Sequence, residues 1–441
     1  MDLSVSSLSA GEVLASLAGF VILYAVLFAV EMWLMIRTAK TGPSTLATGR
    51  YFFERRAEGA LKMIDYVILK VIWWLFIGVL LVGFAVMDGQ DMGVGTLLPF
   101  IGKTDTERRC MINSVAPHWD GNQVWFITGG GAMFAAWPMV YATAFSGFYW
   151  AMLVILIALI LRPLAFDYRS KVPAQKWRSS WDWALFAGSV IPPVICGVAF
   201  GNLLQGVPFH LDETLRPIYT GNFFGLLNPF GLLCGVTGLL MMVCHGANYL
   251  VLRTDGDLQR RAASVSTLSA LATLVFFVAG GVWTYFGIDG LVVSAGLDPA
   301  GPANPLAKTV DIYAGAWFTN FKSYPLLWIV PALGIIGLIA SVLFTRLLKP
   351  LLAIVMSAAA MLSIILTPLV AMFPFILPSS TEVRSSLTVW DCTSSQLTLE
   401  IMLYVTLIFL PIVLAYTTWA YRTMSGKITA DFIKKNDYQL Y

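Results

Sequence analysis

Three carboxylates stand beside long apolar runs in the stretch AVMDGQDMGVGTLLPF and the nearby NSVAPHWDGNQVW: Asp88, Asp91 and Asp120. An acid at a helix centre in lipid costs about 3 kcal/mol, so such groups line protein-buried or watery paths. Asp88 and Asp91 are three apart and share a face if their helix continues. Gly89, Gly93 and Gly95 interleave with them and allow a second backbone to approach closely. Asp120 sits between the helix breaker Pro117 and an apolar run, with His118, Trp119, Asn122 and Gln123 as neighbours. The chemistry open to such a set is proton uptake along a relay. The bland alternative for Asp88 and Asp91 is an interfacial turn whose acids meet water or a helix cap.

Metal chemistry has less to draw on. Only His118, His210 and His245 occur, and no two stand four apart. A copper oxidase or a bis-histidine haem protein needs several histidines inside its helices, so any redox metal should sit mostly in another subunit. Cys110, Cys196, Cys234, Cys244 and Cys392 form no CxxC pair for zinc, iron–sulfur or dithiol chemistry. They read as small buried hydrophobes. A net charge of only +3 gives no basic surface for nucleic acid.

The elements that must position these residues follow from composition. At 441 residues, 58% hydrophobic, 12% charged and mean hydropathy +0.76, the chain reads as an all-α polytopic membrane protein. A hydrocarbon core of about 30 Å needs roughly 20 apolar residues per helix. Ten stretches qualify, roughly at 12–36, 67–87, 123–142, 144–164, 183–204, 227–249, 265–287, 324–345, 351–373 and 399–421. The first apolar run is of spanning length without a charged leader, so no cleavable signal peptide is expected.

Loop charges orient the spans. Basic residues follow every second one: Lys103, Arg108 and Arg109; Arg162 to Arg178; Arg253, Arg260 and Arg261; Arg346 and Lys349; Arg422 to Lys435. By the positive-inside rule the chain from Met63 onward is a bundle of about nine helices with its C-terminus in the cytoplasm. Asp88 and Asp91 then end the first of these helices at its cytoplasmic edge, and Asp120 opens the next from the same side. The extra N-terminal helix does not fit. Its basic tail, Arg37 to Lys62, is too polar to recross the membrane.

Other polar marks are weaker. Asn202 with Gln205, and Arg162 with Asp167 and Arg169, lie near helix ends, where charges snorkel or pair. His245 reads as a packing histidine and His210 as a solvated one. Glu382, Arg384, Asp391 and Glu400 belong to an outer segment, and the tryptophans fit interfacial belts first.

From Met63 to Tyr441 the chain resembles subunit II of the cytochrome bd-type quinol oxidases. The resemblance runs through WWLFIGVLLVGFAVMDGQDMGVG, TERRCMINSVAPHWDGNQVWFITGGGAMFAAWPMVYA, RPLAFDYRSK, GVAFGNLLQGVPF, YTGNFFGLLNPFGLL, AMFPFILPSS and WDCTSSQLTL. It implies a multi-pass subunit of a bacterial inner-membrane complex that oxidises quinol and reduces O2 to water. Haems b558, b595 and d are implied in the partner, subunit I, with no catalytic residue and no metal ligand in this chain. Subunit II is implied to pack on that partner and to shape proton and oxygen routes. Asp120 matches a proton-path acid of the family, Asp91 and Asp88 match an acidic pair, and His118, Trp119, Asn122, Gln123 and Arg162 are the expected support. A small third subunit and a structurally held quinone are left open. Residues 1–62 resemble instead the last helix and tail of subunit I. The join at Leu61-Lys62-Met63 reads as one coding region running into the next, through a gene-model artefact or a fusion. The alternative function is a secondary transporter, whose acids would bind an ion near the midplane.

Overall fold

The computed structural model describes residues 10–41 and 64–435, in two compact units, Met1–Met63 and Ile64–Tyr441. In the first unit the described residues form one helix, α1 (Ala10–Thr41). The basic stretch after it, including the expected join at Met63, lies outside the described residues.

The second unit begins with α2 (Tyr66–Ile101), α3 (Asp105–Val115), α4 (Trp119–Ala136), α5 (Pro138–Gly147), α6 (Tyr149–Tyr168) and α7 (Gln175–Gln205). It continues through α8 (Phe223–Leu226), α9 (Pro229–Arg253), α10 (Gly256–Gly287), α11 (Thr319–Ser323), α12 (Ile329–Arg346) and α13 (Pro350–Met372). Last come α14 (Gln396–Thr423) and α15 (Ala430–Lys435). Eight of the described helices are long and apolar enough to cross a membrane: α2, α6, α7, α9, α10, α12 with the turn before it, α13 and α14. The chain is thus an all-α polytopic membrane protein.

Two sequence expectations change in detail. The span expected at 123–142 is split, because Pro138 lacks an N–H and its ring blocks continuation. The helix stops at Ala136 and a new one starts at Pro138. More consequential is α2, which does not end at its acids. It runs 36 residues, about 54 Å at 1.5 Å per residue. Asp88 lies about 33 Å from its start, where an apolar core of about 30 Å gives out. Every residue from Asp88 to Leu98 is nevertheless buried. The lipid layer ends there but the protein does not, so the helix exchanges lipid for side chains and continues.

Glycine makes that burial feasible. A Cβ on Gly93 would stand 2.2 Å from the carbonyl oxygen of Met242 and 2.9 Å from the Cα of Gly246. Here α2 and α9 cross backbone to backbone, the close approach that small residues permit in membranes. At the basic end of the bundle Leu97, Leu98, Met111, Ile112, Phe166 and Leu250 form one apolar cluster. Antiparallel hairpins join helices at the opposite end: β1 (Phe209–Leu211) with β2 (Pro217–Tyr219), β3 (Asp289–Ala295) with β4 (Thr309–Ala314), and β5 (Phe375–Leu377) with β6 (Leu387–Thr388). Buried Lys70 ties that end to α2, donating from Nζ to the carbonyls of Pro299 at 2.9 Å and Trp390 at 2.7 Å.

Candidate functional site: a buried acid pair at the basic end

Asp88 and Asp91 share a face of α2, and neighbouring helices supply each with different partners. Arg162, one turn and a half before the end of α6, reaches Asp88 as a fork: Nη1 donates to Oδ2 at 2.9 Å and Nη2 to Oδ1 at 2.5 Å. Both residues are 0% exposed. Two charges removed from water this far cost several kcal/mol each, and only a bidentate geometry of this kind recovers the loss. The expected pairing of Arg162 near its own helix end is replaced by this cross-bundle bond.

Asp91 has no arginine. Asn122 Nδ2 donates to its Oδ2 at 2.7 Å. Its Oδ1 has no hydrogen-bond partner among the described residues and faces His118 Nδ1 at 3.8 Å. The ring's other nitrogen, Nε2, meets the Tyr249 hydroxyl at 2.9 Å, and that hydroxyl donates its single proton to the Ser114 carbonyl at 3.0 Å. Tyr249 therefore accepts from His118, which puts the ring hydrogen on Nε2 and leaves Nδ1 as an acceptor, with the Asn122 amide at 3.3 Å and Asp91 beyond it. Burial, with Arg253 acting in the same sense, pushes the imidazole down to about 4. The ring is neutral at ordinary pH, so its 3.8 Å approach to Asp91 is not an ion pair, and it is too long for a hydrogen bond.

Two further groups close the site. Tyr421, in the last turn of α14, meets the Asn122 amide at 2.8 and 3.0 Å and accepts from Gln90 Nε2 at 2.8 Å. Its ring stacks on His118 with centroids 4.4 Å apart. Asp91 is thus enclosed by α2, α4, α9 and α14. Tyr421 and Tyr249 carry no signal in the sequence, since each is a tyrosine at the end of an apolar span, more than a hundred residues from the acid pair.

Asp120 goes elsewhere. At 100° per residue it points about 200° away from Asn122, so the helix turn that brings Asn122 to Asp91 turns Asp120 outward. It is exposed and has no hydrogen-bond partner among the described residues. With Gln123 it lines one end of a cavity of about 1390 Å³ that runs between α2, α4, α6 and α7, past Trp74, Phe84, Trp125 and Met241 to Leu377. Trp119 stacks on Phe166 at 5.1 Å and belongs to the apolar cluster. The sequence-expected set therefore divides into a buried group (Asp88, Asp91, His118, Asn122, Arg162) and residues lining the cavity (Trp119, Asp120, Gln123).

The remaining polar groups are structural. His245 Nδ1 pairs with the Ser357 hydroxyl at 2.7 Å, and Asn248 joins Ser266, Ser341 and Thr345 across three helices. At the rim, Arg169 binds Asp182 at 2.5 Å and Asp105 at 2.9 Å, and Arg178 binds Asp105 at 2.6 Å. His210, expected in water, is half-buried on β1. A haem does not fit this donor set, because His118 and His245 spend their ring nitrogens on tyrosine, asparagine and serine partners. No cluster of three His, Cys, Asp or Glu side chains occurs among the described residues.

Residues 69–424 match the family described as cytochrome bd terminal oxidase subunit II. The chain is 56% identical over 379 residues to the cytochrome bd-I ubiquinol oxidase subunit 2 of Escherichia coli (strain K12), covering 86% of this chain and 100% of that one. It is 53% identical over the same shares to the probable cytochrome oxidase subunit 2 of Haemophilus influenzae. A chain in the structure of bd oxidase from Geobacillus thermodenitrificans has the same fold, with TM-score 0.55 at 12% identity over 81% of this chain and 98% of that one. These likenesses displace the secondary-transporter reading. The buried acids, the apolar helices and the family match agree: the chain belongs to the cytochrome bd terminal oxidase subunit II family and is a multi-pass subunit of a bacterial inner-membrane oxidoreductase.

Proposed function

We propose that this chain, as subunit II of a quinol:O2 oxidoreductase, packs against the haem-bearing subunit I and delivers protons and oxygen to it. The observation that carries the proton half is the enclosed Asp91. It is a carboxyl 2% exposed, with one oxygen left to face His118. Asp91 Oδ1 is the atom without a hydrogen-bond partner, while His118 Nδ1 has the Asn122 amide at 3.3 Å, so a proton arriving at the pair has an open oxygen to take it. Such a pair takes up and releases protons more readily than one locked by a cation. Asp88 is the locked neighbour, and the Arg162 fork keeps a fixed charge beside the mobile one. The basic end is the cytoplasmic end by the charge rule, so uptake there while quinol releases its protons outside separates charge without a pump.

Asp120 serves as the second station, at the mouth of the apolar cavity. O2 is apolar and partitions into such a cavity, which supports the oxygen half of the proposal. The cavity is also long and aromatic enough for a quinone ring and tail. Haems b558, b595 and d, ubiquinol as the donor, O2 and a small third subunit belong to the assembled complex in this reading.

The test is turnover of the purified complex. Asp91→Asn and Asp120→Asn are each expected to slow oxygen consumption while haem content stays at the parental level. Loss of the haem spectrum in either variant would make that aspartate an assembly residue and remove it from the path.

A further inference from the structure

Most of α14 stands away from the bundle. Its buried side chains, Leu399, Glu400 and Leu403, all lie within its first eight residues, and Pro411 to Tyr416 are exposed. Tyr421 lies about 37 Å along this helix from Gln396, yet its hydroxyl is seated among Gln90 and Asn122. Packing along α14 does not put it there. Left to itself, a tyrosine at a membrane interface turns its hydroxyl toward water.

The chain beyond α14 supplies the constraint. Arg253, the last residue of α9 and 7% exposed, donates from Nη2 to the Met424 carbonyl at 2.8 Å. Ile428 N donates to the Arg253 carbonyl at 2.7 Å. One residue thus grips the chain on both sides of the turn through Ser425 to Lys427. Past that turn Ile428, 8% exposed, and Ile433, 2% exposed, are sunk into the basic-end cluster with Met111, Ile112, Leu250 and Leu258. Helix α15 lies against α3, which opens on its own capping box at Thr104 and Glu107. The segment 424–435 is therefore anchored on elements of the bundle core and not on α14.

We propose that Met424 to Lys435 form a strap that holds Tyr421 in its seat beside Asn122, with Arg253 as the positioning residue. Through Tyr421 the strap keeps the Asn122 amide turned toward Asp91. Its effect on turnover rests on the proton reading above, whereas its hold on α14 does not.

The experiment uses the assembled oxidase with four chains: one ending at Ser425, Ile433→Ala, Tyr421→Phe, and the truncation combined with Tyr421→Phe. Two quantities are measured, oxygen consumption per haem and amide hydrogen exchange across residues 417–423. The truncation and Tyr421→Phe are each expected to slow turnover by about tenfold, the equivalent of one hydrogen bond. The double variant should be no slower than Tyr421→Phe alone, and exchange in the last turn of α14 should rise in the truncated chain. Ile433→Ala, which only thins the anchor, should move both readings part of the way, and it carries the test if the truncated chain does not assemble. Multiplying effects in the double variant would overturn the strap's action through Tyr421. Unchanged exchange at 417–423 after truncation, or after Ile433→Ala where that variant carries the test, would overturn the strap itself. Parental turnover in Tyr421→Phe with raised exchange in the truncated chain would sink the proton reading at this residue and uphold the strap.

Discussion

Removing Arg162 should cost the complex more than any surface change. Arg162→Met keeps most of the volume and deletes the fork that holds Asp88, leaving a carboxylate with 0% exposure and no cation. Breaking one side of a buried pair costs about 3–5 kcal/mol, because the surviving charge stays desolvated. A multi-subunit membrane complex unfolds irreversibly, so the cost is read as a rate. If about 3 kcal/mol falls on the unfolding barrier, the half-life for thermal loss of the haem spectrum shortens about a hundredfold. Asp88→Leu combined with Arg162→Met removes both charges and should recover most of that loss. The assay is the decay of haem absorbance in the purified complex at a fixed elevated temperature. Equal half-lives for the single and double variants would refute the argument, since the penalty would then lie in packing and not in an orphaned charge.

Three other outcomes follow from the same geometry. Gly93→Ala would push a methyl into the Met242 carbonyl at 2.2 Å, so assembled complex in the membrane should fall sharply, and Gly246→Ala should do the same, whereas Gly131→Ala meets nothing within 4 Å and should assemble normally. For His118, the folded ring protonates only near 4 while an unfolded one does so at 6.5. The unfolded state then binds more protons across that window, and stability is lost as pH falls from 6.5 toward 4, by about 3 kcal/mol in all. Thermal half-life measured over that range should steepen for the parent and flatten for His118→Gln; parallel curves would count against a neutral buried ring. Asp120→Asn, on the exposed cavity face, should leave thermal half-life within the parental range even where it slows turnover, and a shortened half-life would mean that Asp120 is held by a contact in the complex.

Much of the protein was legible in one dimension. Apolar runs of spanning length and the alternation of basic loops depend on the membrane's thickness and potential, which act on each segment separately, so composition alone placed most helices and both ends of the bundle. The spacing of Asp88 and Asp91 put them on one face, and an acid beside an apolar run is informative wherever it occurs. The end of α2 does not follow from polarity, because an acid in a helix marks its end only when no partner meets it. A carboxylate can sit deep in a helix when an arginine 74 residues away comes to meet it, and no local pattern records that.

Tertiary structure alone decides which partners each acid meets. Asp88 and Asp91 are near equivalents in sequence, yet one is forked by Arg162 from α6 and the other takes the Asn122 amide from α4 and faces His118. Asp120 and Asn122 are two residues apart, and the pitch of α4 sends one to the cavity and the other to Asp91. Tyr421 stands 299 residues beyond Asn122 in the chain and 2.8 Å from it in space. Sequence determines which side chains are costly to bury, since that depends on each group and its solvent. Which costly groups meet and offset one another depends on how the helices pack, and that is settled only when the chain has folded.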